Sequence, residues 1–249
     1  MSSVGGQVSS SLGIRGITSS LVGGGNAGLL GLVHAVELFR RTPHQDSIVV
    51  VASDEIASLY FKLYAKRGLL EECMSGDTVV LGEGSVAFVL EKQRRSLERD
   101  ATSYGRIAGY GLTHQASLIP SANSGVNWMR QAVSEAINSA GIHANQVNRV
   151  QALSCGRKNV DCRESSASQF YFPHLAEVHT TTNLTGFAEA SSSLSNLASM
   201  LLQFQEDCNG LDSNPSRHDP NSRYGIVLAG SDDGNNAAVV IESAKKERC

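Results

Sequence analysis

From Ala27 to Phe39 apolar side chains fill almost every direction of a helical wheel: Ala27, Leu29, Leu30, Leu32, Val33, Ala35, Val36, Leu38 and Phe39. A helix with that pattern is buried on most of its faces. Ahead of it Ile17–Val22 reads as a short β-prone run, and Gly23–Gly25 make the turn between the two. Glycine there admits positive φ and lets another backbone come close. Many enzymes present a nucleophile on such a strand-to-helix turn. This one carries no Ser, Cys or Thr at its tip.

The rest of the chain alternates strand and helix patterns. Met1–Leu12 is small and polar and reads as a short, closely packed helix. Ser47–Ala52 (SIVVVA) is a continuous apolar run, which predicts a fully buried strand. Ser53–Leu70 reads as helix and loop, and Gly82–Glu91 as a strand. Arg106–Leu112 is β-like. Val126, Met129, Val133, Ala136, Ile137 and Ala140 fall at helical spacing, with Ser124 placed as a cap and Gly141 as a stop. Val147–Leu153 and the threonine-rich Glu177–Leu184 read as strands. A helix over Ala188–Gln205 puts Leu194, Leu197, Leu201 and Phe204 on one face. Asn209–Arg223 reads as a surface loop, and Ile226–Ala229 and Ala237–Ile241 as closing strands.

This order holds a repeat. VVVASDE at 49–55 followed by GSVAFVLEK resembles IVLAGSDD at 226–233 followed by NNAAVVIES, and each pair comes after a Gly-bearing turn and a buried helix. The expected architecture is α/β: layered, mixed and largely parallel sheets with helices between them. We expect residues 1–104 to form an incomplete N-terminal half, clipped at its front, and 105–249 a C-terminal half of one integrated domain.

At 249 residues the chain can bury a substantial core. A formal charge of −3 leaves no footprint for nucleic acid or an anionic membrane. Cys73, Cys155, Cys162, Cys208 and Cys249 are an odd, scattered set, which points to reduced thiols in the cytosol rather than a disulfide framework. No apolar run is long enough to span a membrane. We expect no cofactor and no metal.

Several segments resemble the β-ketoacyl synthases, the ketosynthase branch of the thiolase fold. GQVSSSLGIRG resembles their approach to the active-site turn, Asp77–Gly84 with VAFVLEK their DGFxxGEG stretch, and RIAGYG at 106–111 their AxIxGYG. LTG at 184–186 is similar to their MTGH turn, and GNNAAVVIE at 234–242 to their closing strand. The resemblance implies a thiolase-like layered fold. It also places the family's reacting groups: the nucleophile at Gly25, the two histidines at Leu153 and Phe187, and the lysine at Thr182. Asp161 and Glu164 keep the family's spacing, and Ser231–Gly234 replaces its glycine-rich gate. None of the four replacements can be acylated or transfer a proton in the family's manner.

The resemblance further implies a chain length factor of type II polyketide synthases, similar to the short partner subunits of aryl polyene systems. Such a subunit is non-catalytic, works in the cytoplasm, pairs with an active ketosynthase and meets acyl carrier protein through that complex. Gly16, Ile17, Thr18, Ser19, Ser20, Leu21 and Val22 would then form the strand that pairs across the interface, with Met1, Ser2, Val4 and Gly5 nearest the partner's acyl tunnel. Two other readings stay open. One is a thioester hydrolase or acyl-transfer enzyme using Cys155 or Ser154; the other is a stand-alone acyl-binding homodimer. Lesser candidates have plain structural alternatives: a phosphate cradle at Gly23–Gly25, His34 as a core histidine, Asp232 and Asp233 as a solvated turn, and Asp54 and Glu55 as hydrogen-bonding strand ends. His174 and His179 are too isolated to read as metal ligands.

Overall fold

The computed structural model describes residues 4–70, 78–115, 125–209 and 223–244. Two helices lie at its centre. One, α2 (Ala27–Arg41), comes after a tight turn at Gly24–Asn26; the other is α8 (Glu189–Asn209). They pack so closely that a Cβ added at Gly28 would stand 2.5 Å from the Ala190 carbonyl oxygen and 2.7 Å from Leu194. Only glycine permits that approach. The stretch of α2 that reads as apolar all round is buried or half-buried from Ala27 to Phe39.

A sheet flanks the helix pair on each side. The first pairs β1 (Ser47–Asp54) with β2 (Gly84–Glu91), antiparallel from Ser47↔Glu91 to Asp54↔Gly84. The second has four strands in the order β3 (Gly105–His114), β6 (Asn235–Ser243), β5 (Tyr224–Gly230), β4 (Val147–Ala152). Helix–strand–strand thus occurs twice, as α2–β1–β2 and α8–β5–β6, in keeping with the repeat in the sequence. Helices α5 (Val126–Ala140) and α6 (Lys158–Tyr171) cover the outer face of the larger sheet. There Met129, Val133, Ile137 and Phe172 enclose Val150, Ile226, Leu228 and Val240. Among the described residues α1 is Val4–Leu12, α3 Ser58–Lys66, α4 Gln93–Glu98 and α7 Thr182–Thr185.

Several expectations need correction. The sheets are not largely parallel: β4·β5 is the parallel pair and the other three pairings are antiparallel. The turn at Ser231–Gly234 is too short for a crossover, so β5 and β6 have to run antiparallel. Strand β1 is not fully buried, since among the described residues the smaller sheet has no counterpart of the α5–α6 layer, and Val89 beside it is 66% exposed. Ile17–Val22 is no strand within this chain; it runs irregularly, with Val22 98% exposed. A lone extended run has no ladder to satisfy its backbone. Glu177–Leu184 is not a strand either. His179 makes a two-bond parallel contact with β4, after which the chain coils into α7. Hydroxyls of Thr180 and Thr182 donate to the Leu153 carbonyl, and the Asn196 carboxamide takes the Thr181 N–H and donates to the Ala152 carbonyl. Side chains there do what a ladder would do. Gly141 does end α5, at φ 68. Ser124, the Asn209–Arg223 loop apart from its two ends, and Asp77 lie outside the described residues.

Candidate functional site

The four positions taken from the resemblance converge on one point between α2, β4 and α8. Gly25 is buried in the turn that opens α2. A Cβ added to it would stand 2.6 Å from Leu153 Cδ2 and 3.2 Å from Cε2 and Cζ of Phe187. Leu153 is 0% exposed and Phe187 4%. Thr182, also buried, donates its hydroxyl to the Leu153 carbonyl at 2.6 Å. Backbone bonds fasten Phe187 in place, its N–H to Val80 O at 2.7 Å and its carbonyl to Gly82 N at 2.9 Å. An apolar plug therefore fills the volume that a side chain at position 25 would need. Leucine and phenylalanine offer neither a proton nor a hydrogen bond to a developing oxyanion.

Backbone strain persists around this plug. Ser154 has φ 47 and Glu189 φ 21, a region that non-glycine residues seldom adopt. One directly follows Leu153 and the other lies two residues beyond Phe187. Beneath Ser154 a polar network ties β4 to β5. Glu164 accepts the N–H groups of Ser154 at 2.9 Å and Gly230 at 2.8 Å, and burial pushes its carboxyl up to about 8. Arg163, 2% exposed, donates to Asn236 Oδ1, Ser231 O and Asn159 O.

The other candidates make contacts of a structural kind. Cys155 is 3% exposed, and burial first, then the Asp161 and Glu164 carboxylates, push its thiol far above the ordinary range. Burial of that kind disfavours the thiolate form. His34 meets the Ser19 hydroxyl at 3.3 Å, His174 the Val147 carbonyl at 2.9 Å, and His179 serves through its backbone. Asp232 pairs with Arg157 at 2.6 Å, while Asp233 takes the N–H of Asn235 within the turn. Asp54 accepts the Ser191 N–H at 2.9 Å, binding the smaller sheet to the start of α8, and burial raises its carboxyl. Gly24 has φ 57 but meets the carboxylate of Glu189 and Ser231, a poor cradle for phosphate. Met1 and Ser2 lie outside the described residues. Val4 is exposed on α1, which buries none of its own residues.

Sequence reasoning missed a clasp beside the plug. Glu189 Oε1 accepts the hydroxyl of Tyr60 at 3.0 Å and that of Tyr64 more closely, and its Oε2 faces Gly24. The signal was present: Glu189 is the lone carboxylate between Glu177 and Glu206, and the tyrosines stand four apart on α3. Asn26 was also missed. It is 0% exposed, and its carboxamide finds no partner among the described residues.

The fold and part of the sequence have counterparts in known proteins. Residues 104–209 match the family described as beta-ketoacyl synthase, C-terminal domain. The fold is the thiolase-like fold of the ketosynthases. One chain of the solved complex "AntDE:AntF (apo): type II PKS acyl-carrier protein in complex with its ketosynthase bound to the hexaketide" superposes with TM-score 0.83, at 20% identity over 98% of this chain and 67% of that one. The ishigamide ketosynthase/chain length factor superposes with TM-score 0.75, at 19% identity over 92% and 61%. In sequence, the tetracenomycin polyketide synthase ketoacyl synthase beta subunit of Streptomyces glaucescens is 26% identical over 216 residues, 82% of this chain and 52% of that subunit. The chain thus spans about half the length of that curated relative. Among the described residues no helix is long and apolar enough to cross a membrane.

Proposed function

We propose that this chain is a non-catalytic, ketosynthase-like subunit, a chain length factor. It pairs with an active β-ketoacyl-acyl carrier protein synthase and shapes the acyl tunnel of that partner while a polyketide or polyene chain is extended, in the manner of aryl polyene systems. The observation that carries this reading is the plug of Leu153 and Phe187 over Gly25. A chain that keeps the fold and fills the reacting volume with apolar side chains is suited to assembly rather than turnover. Similarity to the tetracenomycin beta subunit and to the ishigamide pair supports the same class of role.

The interface is Gly16–Val22, continuous with α1. Ile17 is 68% exposed, Leu21 45% and Val22 98%, beside unpaired backbone. An apolar segment of that kind is what an obligate interface buries. Acyl carrier protein meets the chain within the complex, and the complex works in the cytoplasm. Burial of Cys155 disfavours the hydrolase reading.

Expression alone and together with a ketosynthase from the same gene neighbourhood tests the proposal. Size-exclusion chromatography should give a one-to-one heterodimer on co-expression and aggregates without the partner. A well-behaved homodimer that ignores the ketosynthase would overturn it.

A further inference from the structure

The seam between β4 and the central helix α8 is polar. Asn196, Ser199, Gln203 and Asp207 stand at helical spacing on α8, and each hydrogen-bonds to β4. Strand β4 answers with Arg149 and Gln151, two residues apart and so on one face. Arg149 gives Nη1 to Gln203 Oε1 at 3.2 Å and Nη2 to Asp207 Oδ2 at 2.6 Å. Asn196 Nδ2 donates to the Ala152 carbonyl at 3.0 Å.

In the middle of the seam the hydrogen bonding is incomplete. Gln151 is 1% exposed and reaches Ser199 Oγ from Nε2 only at 3.4 Å, and Gln203 Nε2 meets the same oxygen at 3.4 Å. Arg149 Nε and Gln151 Oε1 are buried and find no partner among the described residues. The first can only donate and the second can only accept. Ser199 Oγ receives both carboxamides and keeps its own hydrogen to give. Buried polar atoms left in that state cost free energy.

What completes the seam must accept from Arg149 Nε and Ser199 Oγ and donate to Gln151 Oε1. A cation would stand against the Arg149 guanidinium. An anion would stand against Gln151 Oε1 and near the Asp207 carboxylate that Arg149 already holds. A water molecule makes all three bonds, and three is the usual number for a buried water. The long contacts at Ser199 show that the two elements are not drawn tight at this point.

We propose that Arg149, Gln151 and Ser199 bind one buried water molecule that joins β4 to α8. Leu153 lies two residues beyond Gln151, and Phe187 lies two residues ahead of α8. The water therefore helps to set the register in which the two halves of the plug meet. The inference stands apart from the partner-subunit reading.

A crystal structure of the full chain, in the assembly in which it purifies, tests the site directly. One ordered water should lie about 2.7–3.2 Å from both Arg149 Nε and Gln151 Oε1. Gln151→Met reads the same point by thermal melting. With the water in place, the substitution takes away its acceptor and strands Arg149 Nε, so the melting temperature should fall by about 2–4 °C. In a dry seam the substitution removes an unsatisfied acceptor, and the melting temperature should rise. Gln131→Met, on the exposed face of α5, should melt as the wild type does. A seam with no such water, or a Gln151→Met chain that melts no lower than the wild type, overturns the proposal.

Discussion

A methylene group is the difference between an open and a closed site at Gly25. The Cβ that any other residue would bring lies 2.6 Å from Leu153, well inside contact distance. Restoring a thiol alone should therefore fail. Gly25→Cys forces side chains that are 0% and 4% exposed to move, a change of the overpacking kind that costs about 1–3 kcal/mol. The expected result is a lower melting temperature and no acyl adduct by intact mass after incubation with an acyl thioester. An adduct on the introduced thiol with unchanged melting would show that the plug yields easily. That positions 25, 153, 182 and 187 carry Gly, Leu, Thr and Phe could be read from the sequence. That Leu153 and Phe187, 34 residues apart, fill the same few cubic ångströms could not. Nor could the Tyr60–Tyr64–Glu189 clasp, since a half-buried carboxylate shows its partners only after folding.

Between elements, the clasp is a hydrogen-bonded link from α3 to the start of α8, beside the apolar contacts of Tyr60 and Tyr64 with the core. Tyr64→Phe removes one hydrogen bond to a carboxylate and leaves Tyr60 to hold Glu189. The expected loss is about 1–2 kcal/mol in urea unfolding, with an unchanged m-value. Hydrogen exchange should rise across Ser58–Lys66 more than elsewhere. Uniform exchange throughout the chain would mean that α3 is held by other contacts. Element identity was mostly legible: helices α2, α5 and α8 and strands β1 to β6 stand within a few residues of where periodicity puts them. Two failures share a cause. Ile17–Val22 and Glu177–Leu184 have β-prone composition, but a strand exists only where a neighbouring edge accepts its backbone. The first has no such edge among the described residues, and the second meets threonine and asparagine side chains in its place.

Across the whole molecule, Glu164 ties β4 to β5 at full burial and makes stability depend on pH. Burial raises its carboxyl from the ordinary 4.5 to about 8, against the lowering effect of two backbone N–H bonds. The folded state therefore holds this proton more tightly than the unfolded chain. That contribution is complete below about pH 4.5 and is lost as pH rises through 8, at up to about 1.4 kcal/mol per pH unit. Between pH 5 and pH 8 the melting temperature of the wild type should fall relative to Glu164→Gln, which has no proton to lose. Parallel profiles for the two proteins would remove Glu164 as the cause. Taken alone, the sequence determined most of the helices and strands and which helix is central, because periodicity and residue chemistry are local properties. Tertiary structure alone decided the pairing sense of the strands, the closing of the volume at Gly25 and the burial of Glu164. Those depend on contacts between residues distant in the chain, and a local pattern does not encode which distant surface will meet it.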